Sequence, residues 1–177
     1  MDVRVDSPAL DLESVLPDGF IYSPRTAVDV TLQAHRRAAD IYEKGEGELR
    51  ITIEAPTNAR VGQMNLLLES EPPAAVQWGE PSRGAGAEYG GRHVQHRPTP
   101  EGGLWIDISE AVREPTGGVL ATVPFQLTGS VEDASSIELG FARAIVLAPN
   151  GAALDALTQG LTLDFDLWAR EAEPAPG

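Results

Sequence analysis

Hydrophobic and polar residues alternate through most of the chain from residue 28 onward. The alternation is clear over residues 28–32 and again over residues 161–167. A period of two is the period of a β-strand, because successive side chains of a strand point to opposite faces. Further runs of the same kind occupy residues 49–53, 64–68, 104–108, 119–127 and 137–147. The pattern predicts eight or nine strands, each with one buried face.

Glycine and proline separate these runs, and they belong to residue types that form turns. Gly102-Gly103, Gly117-Gly118 and Pro149-Asn150-Gly151 are examples. Strands with one apolar face, joined by turns, bury that face by packing as two sheets. We therefore predict an all-β fold, a two-sheet antiparallel sandwich of the jelly-roll type with about nine strands. Residues 35–44 interrupt the pattern and have room for a turn or two of helix.

The flanks of the predicted sandwich differ from it, and we expect three parts. Residues 1–27 form an N-terminal arm, residues 28–168 the sandwich, and residues 169–177 an acidic, proline-rich tail. The arm is predicted to carry a short helix over residues 8–16, with Ser7 as its N-cap and Pro8 at its first position. After the helix comes an apolar patch, which either packs on its own domain or reaches a neighbouring subunit. The patch consists of Phe20, Ile21 and Tyr22.

Charge narrows the classes of partner. The chain of 177 residues has 27 acidic and 13 basic residues and a formal net charge of -14. This sign disfavours nucleic acid and anionic membranes, whose binding depends on lysine and arginine. The chain is acidic, and Lys44 is its only lysine. Either adaptation to high salt or a GC-rich genome explains this composition. No apolar run is long enough to span a bilayer. The N-terminus has no signal-peptide pattern, and localisation in a virion or an extracellular or cell-surface assembly is favoured.

Candidate chemistry is sparse. His93 and His96 are three residues apart in an extended region, which predicts that they face opposite ways and cannot easily share a metal. Asp164 and Asp166 share one face of the last strand, where a solvated acidic surface is favoured over a calcium site. No nucleophile motif or phosphate-binding loop is present. We expect no catalytic, cofactor or metal site and predict that the chain is not an enzyme.

Apolar residues at outward positions point instead to a contact surface. If the alternating residues around them face inward, Leu67, Trp105 and Leu120 face outward. Together with Phe20, Ile21 and Tyr22 of the arm they form the predicted interface. The alternative is that the arm or the glycine-rich segment 79–103 covers the outward residues.

Three stretches resemble the cohesin family of β-sandwich modules. They are GEGELRITIEAPTNARVGQMNLLLESEPPAAV (45–76), GGVLATVPFQL (117–127) and SSIELGFARAIVLAPNGAALDA (135–156). The resemblance implies a nine-stranded jelly roll and a protein-binding role. It transfers no dockerin-contacting residue to a position of this chain.

We predict a non-enzymatic structural or assembly module that makes protein–protein contacts in a larger particle or surface assembly. A virion decoration or tail protein is one example, and copies of the chain or other particle subunits are the expected partners. Two alternatives remain open: a cohesin proper, which binds a dockerin-like partner, and a carbohydrate-binding module.

Overall fold

A computed structural model describes residues 14–15, 21–22, 27–56, 59–85, 93–109, 117–129 and 135–165. Its elements in chain order are β1 (Ser14–Val15), β2 (Ile21–Tyr22), β3 (Ala27–Ala34), α1 (Ala38–Lys44), β4 (Glu46–Glu54), β5 (Gln63–Glu71), β6 (Val76–Trp78), β7 (Ser82–Arg83), β8 (His93–Pro98), β9 (Leu104–Ser109), β10 (Gly117–Leu127), β11 (Ser136–Leu147), β12 (Ala153–Gln159) and β13 (Leu161–Asp164).

The strands form two layers that are joined along one side. Layer one has the order β6-β10-β4-β3-β12, with β7 also beside β10, and layer two has the order β11-β5-β9-β8, with β13 also beside β11. Strand β12 joins the layers, because it pairs with β3 of layer one and with the end of β11. The all-β sandwich predicted from the sequence is confirmed, and nine strands follow one continuous order.

One pairing departs from the antiparallel prediction. Strand β12 runs parallel to β3, with Ala156 opposite Val28. The hairpin that connects β11 to β12 turns at Gly151, whose φ of 82° is in the left-handed region that glycine adopts readily. The chain then crosses from layer two to layer one and continues in the direction of β3. A crossing of this kind leaves no signal in the hydrophobic pattern.

The core lies between the two layers and is made largely of the alternating residues predicted to face inward. Val30, Ile51, Leu66 and Ile106 are all 0% exposed. Removing such side chains from water stabilises the fold by about 1.5–3 kcal/mol each. The buried hydrophobic residues of the strands are Val28, Val30, Leu32, Leu49, Ile51, Ile53, Met64, Leu66, Leu68, Val76, Leu104, Ile106, Ile108, Leu120, Ala121, Val123, Phe125, Ile137, Leu139, Val146 and Leu163.

Helix α1 confirms the helical turns expected within residues 35–44. Its Ile41 is 0% exposed and belongs to the core, and Tyr42 lies 4.9 Å from Phe165 between ring centroids. Gly45 ends the helix with a φ of 67°, a conformation that favours glycine.

Most of the predicted arm helix lies outside the described residues. Its end does not, and there the prediction is wrong: Val15 belongs to β1 and pairs with Ile21 of β2. Valine is β-branched and favours strands, and Pro17-Asp18-Gly19 between the two strands is a sequence typical of turns. The predicted limits of arm, sandwich and tail remain predictions.

Candidate functional site

The outer faces of the two layers differ in chemistry. The outward residues of β3, β4 and β10 in layer one are predominantly polar: Asp29, Thr31, Gln33, Arg50, Thr52, Glu54, Thr122 and Gln126. Layer one has two separate apolar exceptions, Val119 opposite Thr52 and the exposed Leu157 of β12 opposite Asp29. The outer face of layer two carries four large apolar residues. They are Leu67, Trp105, Ile145 and Leu147, all partly buried and none of them part of the core cluster. We call this surface the layer-two face.

A row of four side chains crosses the layer-two face. Arg143 of β11 lies directly opposite Leu67 of β5, Leu67 opposite Trp105 of β9, and Trp105 opposite Arg97 of β8. Residues that are directly opposite in antiparallel strands have their side chains on the same face. The row therefore has an arginine at each end and two apolar residues in the middle. With strands about 4.8 Å apart, it spans about 14 Å. We call it the arginine row.

The neighbouring row is polar except at one end. It runs from Ile145 through Asn65 and Asp107 to Gln95. The side-chain amide of Asn65 donates a hydrogen bond to the carboxylate of Asp107. The carboxylate of Asp107, two residues along β9 from Trp105, thus already has a donor.

Neither Arg97 nor Arg143 forms a salt bridge or a side-chain hydrogen bond with any residue that the structure describes. Arg37 behaves differently: its Nε lies 3.1 Å from Oδ2 of Asp40. The hydrogen bond from Arg37 holds the pKa of the Asp40 carboxyl below its ordinary value. The two guanidinium groups of the arginine row are therefore available to a partner.

An acidic end follows the arginine row along β5 and β11. Glu71 lies opposite Glu138, and Glu69 lies opposite Gly140. These glutamates line a shallow cleft of about 490 Å³. Within the described ranges, no group of three or more histidine, aspartate or glutamate side chains is placed to hold a metal ion. The acidic end is best described as a solvated, charged surface.

A second cleft of about 440 Å³ lies at one end of layer one, where it is lined by His35, Glu48 and Trp78 among others. The Nε1 of Trp78 donates a 3.0 Å hydrogen bond to the carbonyl oxygen of Gly102. The lining contains no serine, threonine or cysteine that would serve as a nucleophile.

The structure separates the predicted interface residues. Leu67 and Trp105 are adjacent on the layer-two face, as their outward positions require. The outward position predicted for Leu120 is wrong, because Leu120 is 0% exposed. The register of β10 shifts between Val119 and Ala121, and this β-bulge places two successive residues, Leu120 and Ala121, in the core.

The structure does not test the arm residues of the predicted interface. Phe20 lies outside the described residues. Ile21 and Tyr22 form β2, whose side chains are outside the part that the structure describes. Their contact role remains a prediction, as it does for Leu67 and Trp105.

The predicted arrangement of the histidines is confirmed. His93 lies opposite Ser109, which faces outward, and His96 lies opposite Ile106, which faces the core. The two imidazoles therefore sit on opposite faces of β8. In the described part of the chain, no helix has the length and apolar character needed to cross a membrane.

The sequence pattern did not predict that Arg97 and Arg143 lie on the layer-two face, nor that Ile145 and Leu147 lie beside them. A register shift between Phe141 and Arg143 changes the parity of β11 at that point, so alternation counted from Ile137 assigns Arg143 and Ile145 to the wrong face. Arg97 is an ordinary charged residue in a segment rich in glycine. Only the register of four strands, distant in sequence, brings these side chains together.

Comparisons with known proteins bear on the fold. No family model and no curated protein matches the chain. Solved structures do match. A non-cellulosomal cohesin from Archaeoglobus fulgidus has a TM-score of 0.54 and 14% identity, over 85% of this chain and 99% of that one. A type I cohesin–dockerin complex from Clostridium thermocellum has a TM-score of 0.57 and 11% identity, over 77% of this chain and 96% of that one.

A third similar structure is the cohesin module of a family 33 glycoside hydrolase from Clostridium perfringens, with a TM-score of 0.52 and 15% identity over 78% of this chain and 93% of that one. The shared architecture defines the class of protein, a two-layer β-sandwich module. More particularly, the chain has a cohesin-like fold, as the sequence resemblance predicted. At this level of identity the likeness concerns the fold alone.

Proposed function

We propose that the chain is a non-catalytic protein-binding module and that it contacts its partner through the layer-two face. The proposal is supported by the difference in chemistry between the two outer faces, of which the layer-two face is the more apolar. A sheet face that meets only water has no need of a tryptophan, two leucines and an isoleucine, whereas aromatic and aliphatic clusters with a polar surround are typical of interfaces. Leu67 and Trp105 lie at the centre of this surface and are its expected anchors.

The finer proposal is that the module takes part in a larger particle or surface assembly, such as a virion. Its support is the arm, whose apolar patch of Phe20, Ile21 and Tyr22 gives a second means of contact with a neighbouring subunit. The second candidate is a dockerin-like partner, which is favoured by the cohesin–dockerin complex from Clostridium thermocellum among the similar structures. Carbohydrate binding has less support, because Trp105 is the one aromatic residue found on the layer-two face within the described strands.

Site-specific photo-crosslinking tests the proposal. A photoreactive side chain is placed at Leu67 and, as a matched control, at Thr31 on the outer face of layer one, and each variant is illuminated in an extract of the source organism. We expect an adduct of discrete mass with the Leu67 variant and none with the Thr31 variant. Excess unlabelled wild-type protein should suppress the adduct, and excess Trp105→Asp protein should not. Equal labelling from both positions would contradict the proposal.

Mass in solution separates the two candidates for the partner. Light scattering at low and high salt should show multimers if copies of the chain assemble, and a monomer at all salt concentrations would refute self-assembly. Deleting residues 1–22 tests the arm. If the truncated chain still forms the same multimers, the arm is not the connector.

A further inference from the structure

We infer that two copies of the chain pair edge to edge through β8, so that the second layers of the two copies join into one continuous sheet. The paired surface is the free side of the β8 backbone and not the layer-two face, so the inference goes beyond the proposed function and does not depend on it. Among the strands that the structure describes, β8 has β9 on one side and no strand on the other.

The turn between β8 and β9 shows which backbone groups lie on the free side. The N–H of Thr99 donates a 2.9 Å hydrogen bond to the carbonyl oxygen of Gly103, directly beyond the last pair of the ladder, Pro98 and Leu104. Hydrogen-bonded and non-hydrogen-bonded pairs alternate along an antiparallel ladder. Because Thr99 is at a hydrogen-bonded position, Pro98 is at a non-hydrogen-bonded one, as a residue without an N–H requires.

Val94 and His96 therefore turn their N–H and C=O groups away from β9. They are four and two residues before Pro98 in a ladder of unbroken register, so they occupy the same kind of position. Backbone N–H and C=O groups are strong hydrogen-bonding groups, and a row of them along a sheet edge is a template for another strand. Two donors and two acceptors of β8 are thus directed at an incoming strand.

The outer edge of layer one lacks this continuity. It consists of β6, with three residues, and β7, with two, separated by Gly79-Glu80-Pro81. Short edge strands and prolines are common means by which proteins prevent edge pairing. By contrast, β8 has six residues and a proline only at its last position. Of these two edges, β8 is the one suited to pairing.

One twofold register satisfies all four of these groups. With Gln95 opposite Gln95 of the second copy, Val94 of each copy lies opposite His96 of the other, and four hydrogen bonds form. Moving the axis to His96 brings Val94 opposite Pro98, which has no N–H, so the carbonyl oxygen of Val94 stays unpaired in both copies. The backbone therefore selects the register with Gln95 on the axis.

The side chains of β8 favour a second copy as the added strand. In the selected register the two Gln95 amides meet at the axis, and an amide both donates and accepts hydrogen bonds. The chain has a formal net charge of -14, yet β8 contains no acidic residue. At physiological ionic strength the repulsion between charges elsewhere on the two copies is screened beyond about 8 Å. Two copies can thus approach along this edge without bringing carboxylates of β8 together.

Edge pairing through so few residues makes a weak contact. Stable interfaces bury about 1,200–2,000 Å², and a single strand pair buries less, so we expect a dissociation constant on the order of 0.1–1 mM. Local concentrations of this order arise where copies are held side by side on a particle or surface. The contact therefore orders neighbouring copies and does not give a tight dimer in dilute solution.

The absence of cysteine from the chain lets single thiols report the register. In Gln95→Cys the two thiols of a pair lie across the axis at a Cα separation of about 4.5 Å, which a disulfide spans. Mild oxidation with glutathione at about 0.5 mM protein should give a disulfide-linked dimer. Arg97→Cys is the matched control on the same face of β8, because its two thiols lie about 13 Å apart along the paired strands.

A dimer yield in Gln95→Cys no higher than in Arg97→Cys would overturn the inference. So would an equal yield in Gln33→Cys, which places the thiol at an exposed position on the outer face of layer one.

Proline substitution tests whether the backbone makes the contact. His96→Pro removes an N–H from the free side of β8 and no hydrogen bond to β9, and proline is tolerated on edge strands. His96→Ala is the matched control, because it removes the same side chain and keeps the N–H. In sedimentation velocity at about 0.5 mM, the wild type and His96→Ala should self-associate and His96→Pro should sediment as a monomer.

Circular dichroism establishes that both variants are folded. Equal self-association of the two variants, or a monomeric wild type at this concentration, would contradict edge pairing. Both substitutions leave Leu67 and Trp105 in place, so the crosslinking at Leu67 decides the proposed function separately.

Discussion

Replacing Leu120 by Ala is expected to destabilise the protein far more than replacing Leu67 by Ala. Simple alternation along the strands gives both leucines the same outward position. The structure instead places Leu120 in the core, at 0% exposure, because of the β-bulge in β10. Leu67 is partly buried on the layer-two face. The pair of variants therefore tests the bulge directly.

The two costs differ for a physical reason. Truncating a fully buried leucine removes its transfer free energy and leaves a cavity, at a cost of about 3 kcal/mol. Truncating Leu67 leaves a gap that is open to water, so only the lost contact area counts, at about 1 kcal/mol. Domains of this kind are stable by only about 5–15 kcal/mol, so the cost at Leu120 is a large fraction of the total.

Urea denaturation followed by far-ultraviolet circular dichroism measures the difference. With a slope of about 2 kcal/mol per molar urea, the midpoint should fall by about 1.5 M for Leu120→Ala and by about 0.5 M for Leu67→Ala. Val119→Ala, at the partly exposed position next to the bulge, is the matched control and should behave like Leu67→Ala. Equal midpoints for the two leucine variants, or a larger loss at Leu67, would refute the reasoning.

Two further predictions concern packing and charge. A Cβ at Gly47 would lie 2.4 Å from Cζ of Phe125, so Gly47→Ala should lower the free energy of unfolding by about 1–3 kcal/mol in urea denaturation. A Cβ at Gly129 would have no atom within 4 Å, so the control Gly129→Ala should lower it hardly at all. Equal losses in the two variants would contradict the packing at Gly47. In an NMR titration, the Asp40 carboxyl should titrate below its ordinary pKa of 3.8, and Arg37→Gln should raise that pKa again. The pKa of Asp40 is lower in the folded than in the unfolded protein, so its stabilising contribution is present above pH 3.8 and is lost as the pH falls through the folded-state pKa. An unchanged titration midpoint of Asp40 in Arg37→Gln would argue against the Arg37 contact.

The strands and the core could be predicted from the sequence because burial imposes a period of two wherever a sheet has one dry face. Leu49, Ile51 and Ile53 illustrate this, since each is predicted inward and each is buried. The turn at Asn150-Gly151 could also be predicted, because its residue types are those that a tight hairpin needs.

What the sequence could not predict depends on contacts between distant segments. A bulge adds one residue to a strand without changing its composition, so the burial of Leu120 is invisible to alternation. The arginine row has the same origin: Arg97 and Arg143 become neighbours of Trp105 and Leu67 only through strand register. Register is set by pairing over the whole sheet, and no local pattern records it.

The parallel pairing of β12 with β3 has a consequence for biosynthesis. Strand β3 precedes the other strands of the two layers, yet Val28 finds its partner in Ala156, close to the end of the sandwich. During translation β3 therefore has one unfilled edge until nearly the whole domain has left the ribosome. Closure of the sheet is a late event, and the long separation in sequence is typical of proteins that fold slowly.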